Sequence, residues 1–434
     1  MSYDIYQNYK DSEVALLGKI PNDWDITRLK DIFFMGRGKF SHRPRNDPRM
    51  YDGKYPFLQT GDVAKSNKYI KIYKQTLSEE GVLVSKKFKK HTILMTIAAN
   101  IGDIAILGFD AYFPDSIIAF KSKSKIHNNF AYYFLLIMKK SLDEIKITNT
   151  QDNLNLERLD TIFKALPPIQ VQKKISSYLD INTKIIDTEL SLLEQKIQKY
   201  KELKQTLIKE TVLRGLDKSI EVQDSETPWI GDIPKHWSTE RLKNIFDERI
   251  GKNLDKGTGK AVTTNILSVM KDIGVINHRD KGNVGNKMAE DITNYKLVYP
   301  NDIVVNKMNI MIGSVGISKE FGALSVIYII LITKKDSYAK YYDYFFKMKA
   351  FQRSLRRIAT GILEIREAVN MTLFMQESMT VPPYEEQVAI ANYLDEKTTK
   401  IDEIVKTLGS KISTLKEFRK TLINDVVTGK VKVA

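Results

Sequence analysis

Cysteine is absent from this chain of 434 residues, and histidine occurs five times. Without thiols the sequence excludes disulfide bonds and zinc sites built from cysteine. The five histidines are His42, His91, His127, His236 and His278. No two of them have the spacing that would bring a pair of metal ligands onto one face of a helix. The sequence therefore offers no candidate metal site.

Long apolar runs are also missing. The longest, VIYIILI at 326–332, is far shorter than a bilayer span and is typical of a buried strand. The first residues, MSYDIYQNYKDSEV, lack the apolar core of a secretory signal. We therefore expect a soluble, cytoplasmic protein.

Acidic residues are fewer than basic residues in this chain. The chain has 68 lysine and arginine residues against 53 acidic residues, a formal net charge of +15. Hydrophobic residues make up 42% of the chain and aromatic residues 10%, so the chain can bury cores. An excess of this size favours a polyanionic partner, nucleic acid above all, although solvated lysine alone would give the same count.

The chain contains an internal repeat. Residues 11–33 align without gaps to residues 224–246, with 12 of 23 positions identical. Residues 166–214 align to residues 381–429, with 19 of 49 identical. The second pair follows Pro-Pro and carries apolar residues at alternating spacings of four and three, which predicts two long helices. The chain is a tandem duplication of domain and helix.

The apolar seams of the two helices match position for position. The first seam is Ile186, Leu190, Leu193, Ile197, Tyr200, Lys204 and Leu207, and the second is Ile401, Val405, Leu408, Ile412, Leu415, Arg419 and Leu422. A stripe this narrow is typical of a coiled coil. The two helices either pair with each other, which requires an antiparallel arrangement, or each pairs with a separate protein.

Between the helices, short strands alternate with turn signals. The segments 91–107 and 301–318 share a pattern of strand, polar crossing, Ile-Gly turn and strand. We therefore predict an α+β fold: two globular domains, 1–165 and 215–380, joined by helical regions 166–214 and 381–434. Intramolecular pairing of the helices would make an antiparallel coiled coil with pseudo-twofold symmetry. Two domains on one plan with different loops suit two binding specificities.

Catalytic motifs are incomplete. The segments GRGK at 36–39 and GTGK at 257–260 lack the spacing of a phosphate-binding loop. VPPY at 381–384 resembles an adenine methyltransferase motif, but Val381 stands where a polar residue would hold the target amino group. PDSIIAFK at 114–121 begins like a nuclease core and lacks the Glu-x-Lys that would follow. The sequence therefore predicts no active site.

The loop GRGKFSHRPR at 36–45 is the strongest candidate for DNA contact in the first domain. Lysine and arginine neutralise phosphates, arginine can bind guanine edges, and amides can bind adenine. The candidates in this domain are Arg37, Lys39, His42, Arg43, Arg45, Gln59, Asn100, Gln151 and Asn153. The alternative is a solvated loop whose arginines pair with Asp47 or Asp52. KKFKK at 86–90 faces phosphate or is simply solvated.

The second domain has a similar loop, GKNLDKGTGK at 251–260, in the equivalent place after the first repeat. A further polar segment, NKMN at 306–309, lies at the turn between two strands. The candidates for DNA contact here are Lys252, Asn253, Lys256, Lys260, Asn306, Lys307 and Asn309.

This organisation resembles the specificity subunit of type I restriction-modification systems, the HsdS family. The resemblance lies in IPxxW…RLK at 20–30 and 233–243 and in PPxxxQ…I…YLD…I at 167–186 and 382–401. YPFLQTGDV at 55–63 is similar to one class of target recognition domain in that family. The first copy departs from the second in having Ala15-Leu16 where the second has Pro228-Trp229.

The resemblance implies that each domain reads one half of a bipartite, asymmetric DNA sequence and that the helices set the spacer. It implies no catalysis and no cofactor in this chain. Two methyltransferase subunits would use S-adenosylmethionine, and two restriction subunits, whose existence the sequence leaves open, would use ATP and Mg²⁺. Docking candidates on the repeated helices are Gln172, Tyr178, Asp180, Gln387, Tyr393 and Asp395, unless they only cap and pack the helix start. The rival hypotheses are a catalytic methyltransferase or nuclease with divergent motifs, and a structural coiled-coil adaptor.

Overall fold

The computed structural model describes residues 4–14, 17–98, 101–138, 162–284, 287–360 and 368–433. It divides into two compact units, one formed by Met1–Leu192 with Lys411–Ala434 and the other by Leu193–Ser410. Each unit therefore combines one globular domain of the repeat with a part of each long helix. Both units mix helices with sheets, as the sequence predicts.

The first unit contains two sheets. The larger has the strand order Phe33–Arg37, Ile117–Ser122, Ile93–Thr96, Ile104–Leu107, Tyr69–Ile70, and the smaller has the order Gln75–Leu77, Tyr51–Phe57, Ala111–Tyr112, Lys87–Phe88. Two short pairs join Tyr9–Asp11 to Lys19–Pro21 and Asp25–Arg28 to Phe163–Leu166. The helices are Leu29–Ile32, Thr60–Ala64, Glu79–Leu83 and Asn128–Leu136, with a 3₁₀ turn at Pro48–Met50. Ile93–Thr96 is buried throughout, which explains its unbroken apolar run.

The second unit follows the same plan. Its largest sheet has the order Phe246–Glu248, Tyr328–Thr333, Ile303–Asn306, Val315–Ile317. Two-stranded pairs join Val222–Asp224 to Asp232–Pro234, Ser238–Arg241 to Ser378–Val381, Leu267–Met270 to Gly274–Asn277, Lys296–Val298 to Gly322–Leu324, and Ala359–Thr360 to Ala368–Val369. The helices are Leu242–Ile245, Ala339–Lys347, Lys349–Ser354 and Met371–Phe374, with 3₁₀ turns at His278–Lys281, Ile310–Ile312 and Leu355–Ile358.

Strand register supports the equivalence of the two units. In the first unit Phe33 lies opposite Ser122, and in the second its repeat partner Phe246 lies opposite Thr333. The strand that follows the repeated Arg-Leu-Lys therefore pairs in the same register in both copies. Positions along these strands can be compared one by one.

The two predicted long helices are present, at Ile169–Arg214 and Tyr384–Val427. All the seam residues of both copies are buried or half-buried, whereas most of the intervening helix positions are exposed. The basic interruption of each seam has an acidic partner. Arg419 pairs with Asp187 at 2.8 Å in the first unit, and Lys204 pairs with Asp402 at 2.6 Å in the second.

The repeated tryptophan covers the end of a long helix in each unit. Trp24 and Trp237 are buried, with 0% and 2% of their surface exposed. Trp24 packs on Gly429 and Trp237 on Gly215, and both glycines have positive φ, 77° and 70°. A side chain at Gly429 would lie 3.1 Å from Trp24, and one at Gly215 would lie 3.2 Å from Trp237. Glycine thus ends each helix in a left-handed turn that the indole closes over.

Gln172 and Gln387 are not the exposed docking residues that their duplication suggests. They are 1% and 0% exposed. The side-chain oxygen of Gln172 accepts the N–H of His127 at 2.8 Å, and its nitrogen donates to the carbonyls of Lys125 and Pro167 at 3.0 and 2.8 Å. Gln387 makes the same three kinds of contact, with Tyr338, Asp336 and Pro382. Each glutamine joins a long helix to the start of a domain helix, so the expectation of exposure is wrong.

Asp180 and Asp395 also join a helix to its own domain. Asp180 accepts a hydrogen bond from the hydroxyl of Tyr133 and pairs with Lys68, while Asp395 accepts from Tyr344 and pairs with Lys340. Both carboxylates remain partly exposed, at 37% and 41%. Tyr178 and Tyr393 are half-buried. Docking by these four residues stays a prediction.

Candidate nucleic-acid interface

The loop 36–45 leaves the strand Phe33–Arg37 and is fixed to its neighbours through the backbone. Gly38 donates its N–H to the carbonyl of Ile117 at 2.9 Å. A Cβ at Gly38 would lie 2.3 Å from the carbonyl oxygen of Pro114, so only glycine fits there. Ser41 donates its N–H to Val84 at 3.0 Å, and the hydroxyl of Ser85 donates to the carbonyl of Lys39 at 2.7 Å. The loop therefore runs beside residues 84–85, directly before KKFKK.

Several cations of the loop have local partners. His42 lies 2.8 Å from the carboxylate of Asp47, and Arg49 bonds to that carboxylate at 2.8 Å. The bonds from Arg49 and then His42 hold the pKa of Asp47 well below its usual range. Arg43 donates to the carbonyls of Phe40 and His42 at 3.1 and 2.8 Å. These contacts order the loop.

The alternative in which the loop arginines pair with Asp47 or Asp52 does not hold for Arg43 and Arg45. Arg45 pairs with Asp115 instead, at 2.9 Å, and its side chain remains 48% exposed. Arg37 and Lys39 are exposed as well. Ordering of the backbone and exposure of the cations suit a surface that contacts a polyanion.

Arg45 and Gln59 meet at one cavity of about 420 Å³ that Asn46, Tyr51 and Gln75 also line. Gln59 begins the helix Thr60–Ala64, and its side-chain nitrogen donates to Gln75 at 2.9 Å. Arginine and amide side chains around one recess are the groups that bind base edges in the major groove. Asn100, Gln151 and Asn153 lie outside the described residues.

A second recess, which we name the lysine groove, is lined in part by the strand Phe33–Arg37 that leads into the loop. Its volume is about 740 Å³, and the lysines that line it are Lys86, Lys87, Lys89, Lys90 and Lys121. KKFKK is visible in the sequence, but Lys121 joins it only through strand pairing, which sequence spacing does not indicate. Sequence reasoning therefore missed this groove.

In the second unit the loop 251–260 is a closed turn with exposed lysines. The N–H of Asp255 donates to the carbonyl of Lys260 at 2.9 Å, and its carboxylate accepts the N–H of Gly257 at 2.8 Å. The backbone N–H of Gly257 is the main cause of the lowered pKa of Asp255. Lys252, Lys256 and Lys260 point outward.

Asn253 does not belong to the DNA-facing set. Its side chain is 0% exposed and donates to the carbonyls of Thr263 and Ile292 at 2.9 and 3.1 Å, while it accepts the N–H of Thr263. The carboxamide anchors the loop, so the prediction that Asn253 contacts DNA is wrong.

The segment 306–309 divides between interior and surface. Asn306 is 6% exposed, and its side-chain oxygen accepts the N–H of Met308 at 3.1 Å, which closes the turn. Its burial leaves it turned away from a DNA surface. Lys307 is half-buried and Asn309 is exposed, so these two remain candidates.

The described residues contain no group of three or more histidine or acidic side chains that could hold a metal ion. No helix among them is both long and apolar enough to span a membrane. Each unit thus carries an ordered, glycine-rich loop with exposed cations, and the two loops differ in sequence, as a nucleic-acid-binding protein with two recognition surfaces would require.

Comparison with known proteins shows what the chain is similar to. The model for the type I restriction modification DNA specificity domain matches residues 21–199. The chain is 22% identical over 444 residues to the type I restriction enzyme MjaVIII specificity subunit of Methanocaldococcus jannaschii, and the match covers 99% of this chain and 98% of that protein. The chain is therefore similar along nearly its whole length to type I restriction enzyme specificity subunits.

Solved structures agree on the fold. A chain from a type I R-M system matches with a TM-score of 0.68 at 13% identity and covers 94% of this chain and 98% of its own length. The HsdS subunit from Thermoanaerobacter tengcongensis matches with a TM-score of 0.53 at 14% identity and covers 95% and 98%. The mixed α/β plan in two parts is therefore shared with HsdS subunits.

Proposed function

We propose that each unit of this chain reads one half of a bipartite, asymmetric DNA target. As a type I specificity subunit the chain supplies sequence recognition and no catalysis. The observation that carries the proposal is the pair of loops at 36–45 and 251–260. They leave equivalent strands in equivalent register, both are glycine-rich and cationic, and their sequences differ. One frame with two different loops suits two different half-sites.

The long helices form an antiparallel coiled coil in this proposal. In the first unit Asp187 pairs with Arg419 and Glu189 with Lys411, so residue numbers rise along one helix as they fall along the other. Asp187 aligns with Asp402 and Lys204 with Arg419 in the repeat, so the ion pairs of the two units are equivalents. This equivalence supports pseudo-twofold symmetry. Helices of fixed length would then set the non-specific spacer of the target.

The partners follow from this arrangement. A repeated surface suits two copies of one partner, and two methyltransferase subunits would dock on the repeated helices. Tyr178, Asp180, Tyr393 and Asp395 are the candidates for that contact. S-adenosylmethionine would bind to the methyltransferase subunits, and ATP and Mg²⁺ to restriction subunits where these exist. The complex would act in the cytoplasm, on double-stranded DNA.

Methylation mapping tests the proposal. N6-methyladenine is mapped across host DNA by single-molecule sequencing, with the gene for this chain intact and deleted. The expected result is a gapped motif of two unlike halves that disappears on deletion and returns with a plasmid copy. A motif that is contiguous, or that survives the deletion while the methyltransferase is expressed, would contradict the proposal.

A further inference from the structure

The lysine groove of the first unit concentrates positive charge on one face. Among the described residues that line it, five are lysines and none is acidic. Lys86, Lys90 and Lys121 have no carboxylate partner in the described chain. Lys86 lies 5.2 Å from the centre of the Phe88 ring, and its ammonium group lies beside Gly36.

One carboxylate, that of Asp110, pairs with the two remaining lysines of the groove. Asp110 pairs with Lys87 at 3.3 Å and with Lys89 at 3.0 Å, and it accepts the N–H of Lys90 at 2.9 Å. The N–H of Lys90, followed by Lys89, lowers the pKa of Asp110 to about 2, so this carboxylate stays ionised at neutral pH. Four of the five lysine charges remain in excess.

The second unit does not carry this charge at the equivalent positions. The repeat alignment places Asp247 and Glu248 where the first unit has Phe34 and Met35. The residue opposite Asp247 is Ile332, whereas Lys121 lies opposite Phe34.

The segment that corresponds to KKFKK differs as well. His91 and Asn301 align, and both have positive φ, 70° and 72°. Lys89 and Lys90 therefore correspond to Tyr299 and Pro300. Tyr299 packs against Phe321, with ring centres 4.9 Å apart, where Lys89 pairs with Asp110 in the first unit.

The one lysine kept in the second unit is neutralised. Lys296, which corresponds to Lys86, pairs with Glu248 at 3.0 Å and donates to the carbonyl of Tyr328 at 3.1 Å. Asp247 pairs with Lys334 at 3.3 Å. The same face is strongly cationic in one unit and balanced in the other.

We propose that the lysine groove is a sequence-independent clamp for the DNA sugar–phosphate backbone, present in the first unit and absent from the described residues of the second. The inference rests on the proposed function and adds that the two units contribute differently to DNA affinity. Lysine ammonium groups bind phosphates as point charges and release counterions, which gives affinity without base selection. The first unit then supplies most of the salt-sensitive affinity, and the second unit depends more on direct contacts to its half-site.

The test measures binding of the full-length chain to a fluorescent duplex of random sequence at salt concentrations between about 50 and 200 mM. The variant is K86Q/K90Q/K121Q. Removal of one lysine–phosphate interaction should flatten the slope of log K against log salt by about 0.9, so removal of all three should flatten it by about 2.7. The conservative variant K86R/K90R/K121R should keep the wild-type slope, because it retains the charge.

The matched control is K65Q/K71Q/K74Q, which removes the same charge from exposed lysines of the same unit outside the groove. A flattened slope in the groove variant, with the control close to wild type, supports the clamp. Equal slopes in the groove variant and the control overturn it. Methylation mapping in cells distinguishes failure of the clamp from failure of the proposed function. If wild-type cells show the gapped motif but the slopes are equal, only the clamp is rejected. If wild-type cells show no gapped motif, the proposed function is rejected.

Discussion

At the scale of one residue, Gln172 is repeated in both halves of the chain for a structural reason and not because it binds a partner. A polar residue that recurs in both copies of a repeat suggests a shared partner, and the sequence alone supports that interpretation. The structure instead buries Gln172 and gives it three hydrogen bonds inside its own unit. Its repetition reflects the same join between helix and domain, made twice.

Substitution of Gln172 should loosen this join. Gln172→Ala leaves the N–H of His127 without its acceptor in the interior, at a cost of about 2 kcal/mol. Hydrogen–deuterium exchange of the peptide that starts the helix Asn128–Leu136 should become roughly 30-fold faster. Gln170→Ala, an exposed neighbour on the same helix, is the control and should leave the exchange unchanged. Equal exchange in both variants would show that the join does not depend on Gln172.

Asn253 and Asn306 are further polar residues that the sequence suggests as exposed but that the structure buries. Both are candidates for DNA contact in the sequence, and both instead hold their loops together through buried hydrogen bonds. Spacing along the chain does not indicate whether a loop amide faces solvent or backbone, since that depends on strands distant in sequence. The cations Lys39, Lys256 and Lys260 are easier to predict, because an unpaired lysine is rarely buried.

The long helices are the elements that the sequence predicts best. The four–three spacing of apolar residues is local, so it predicts the helices and their inward faces position for position. It also locates Lys204 and Arg419 as interruptions. Their partners Asp402 and Asp187 belong to the other helix in each case, and spacing within one helix cannot identify them.

A double-mutant cycle should measure the seam ion pair. Asp187 and Arg419 are only 26% and 20% exposed, so their coupling should exceed that of a solvated pair and reach about 1 kcal/mol. The cycle uses Asp187→Ala, Arg419→Ala and the double variant, with urea unfolding as the measurement. The control cycle uses Glu396 and Lys400, one helical turn apart and 55% and 62% exposed, for which a weaker coupling is expected because water screens the pair. Comparable coupling free energies in the two cycles would show that the Asp187–Arg419 pair contributes no more to stability than an exposed pair.

The sheets are the elements where sequence reasoning is weakest. Individual strands such as Ile93–Thr96 can be predicted from their apolar runs, but their partners cannot. The lysine groove depends on Lys121 lying opposite Phe34 and on Lys87 lying opposite Tyr112. Pairing between distant strands is set by tertiary packing, so a groove built on it has no local signal.

At the scale of the whole molecule, the duplication gives one chain two equivalent frameworks, which the proposed recognition of two half-sites requires. The repeated parts are the ones that build the frame: the tryptophan that covers a helix end, the glutamine that joins helix to domain, and the seam. The parts that differ are the loops and the groove. The sequence predicts this division because framework positions keep a recognisable repeat while surface positions diverge.

The chain should bind no methyl donor by itself. Val381 precedes Pro-Pro-Tyr where a methyltransferase would use a polar residue, and Val381–Tyr384 lead into the second long helix instead of a cofactor site. Calorimetric titration of the purified chain with S-adenosylmethionine should give no binding heat, whereas the complex with its methyltransferase should bind. Saturable binding to the isolated chain would revive the enzymatic alternative.

The most direct test of two unlike recognition surfaces on one frame is methylation mapping of two matched loop variants. R37Q/K39Q removes two cations from the loop of the first unit, and K256Q/K260Q removes two from the loop of the second. Loss of one interaction with a base costs about 1–3 kcal/mol, so each variant should relax or abolish recognition of one half of the gapped motif. The two variants should affect opposite halves. Variants that alter the same half, or that leave the motif unchanged, would contradict this expectation.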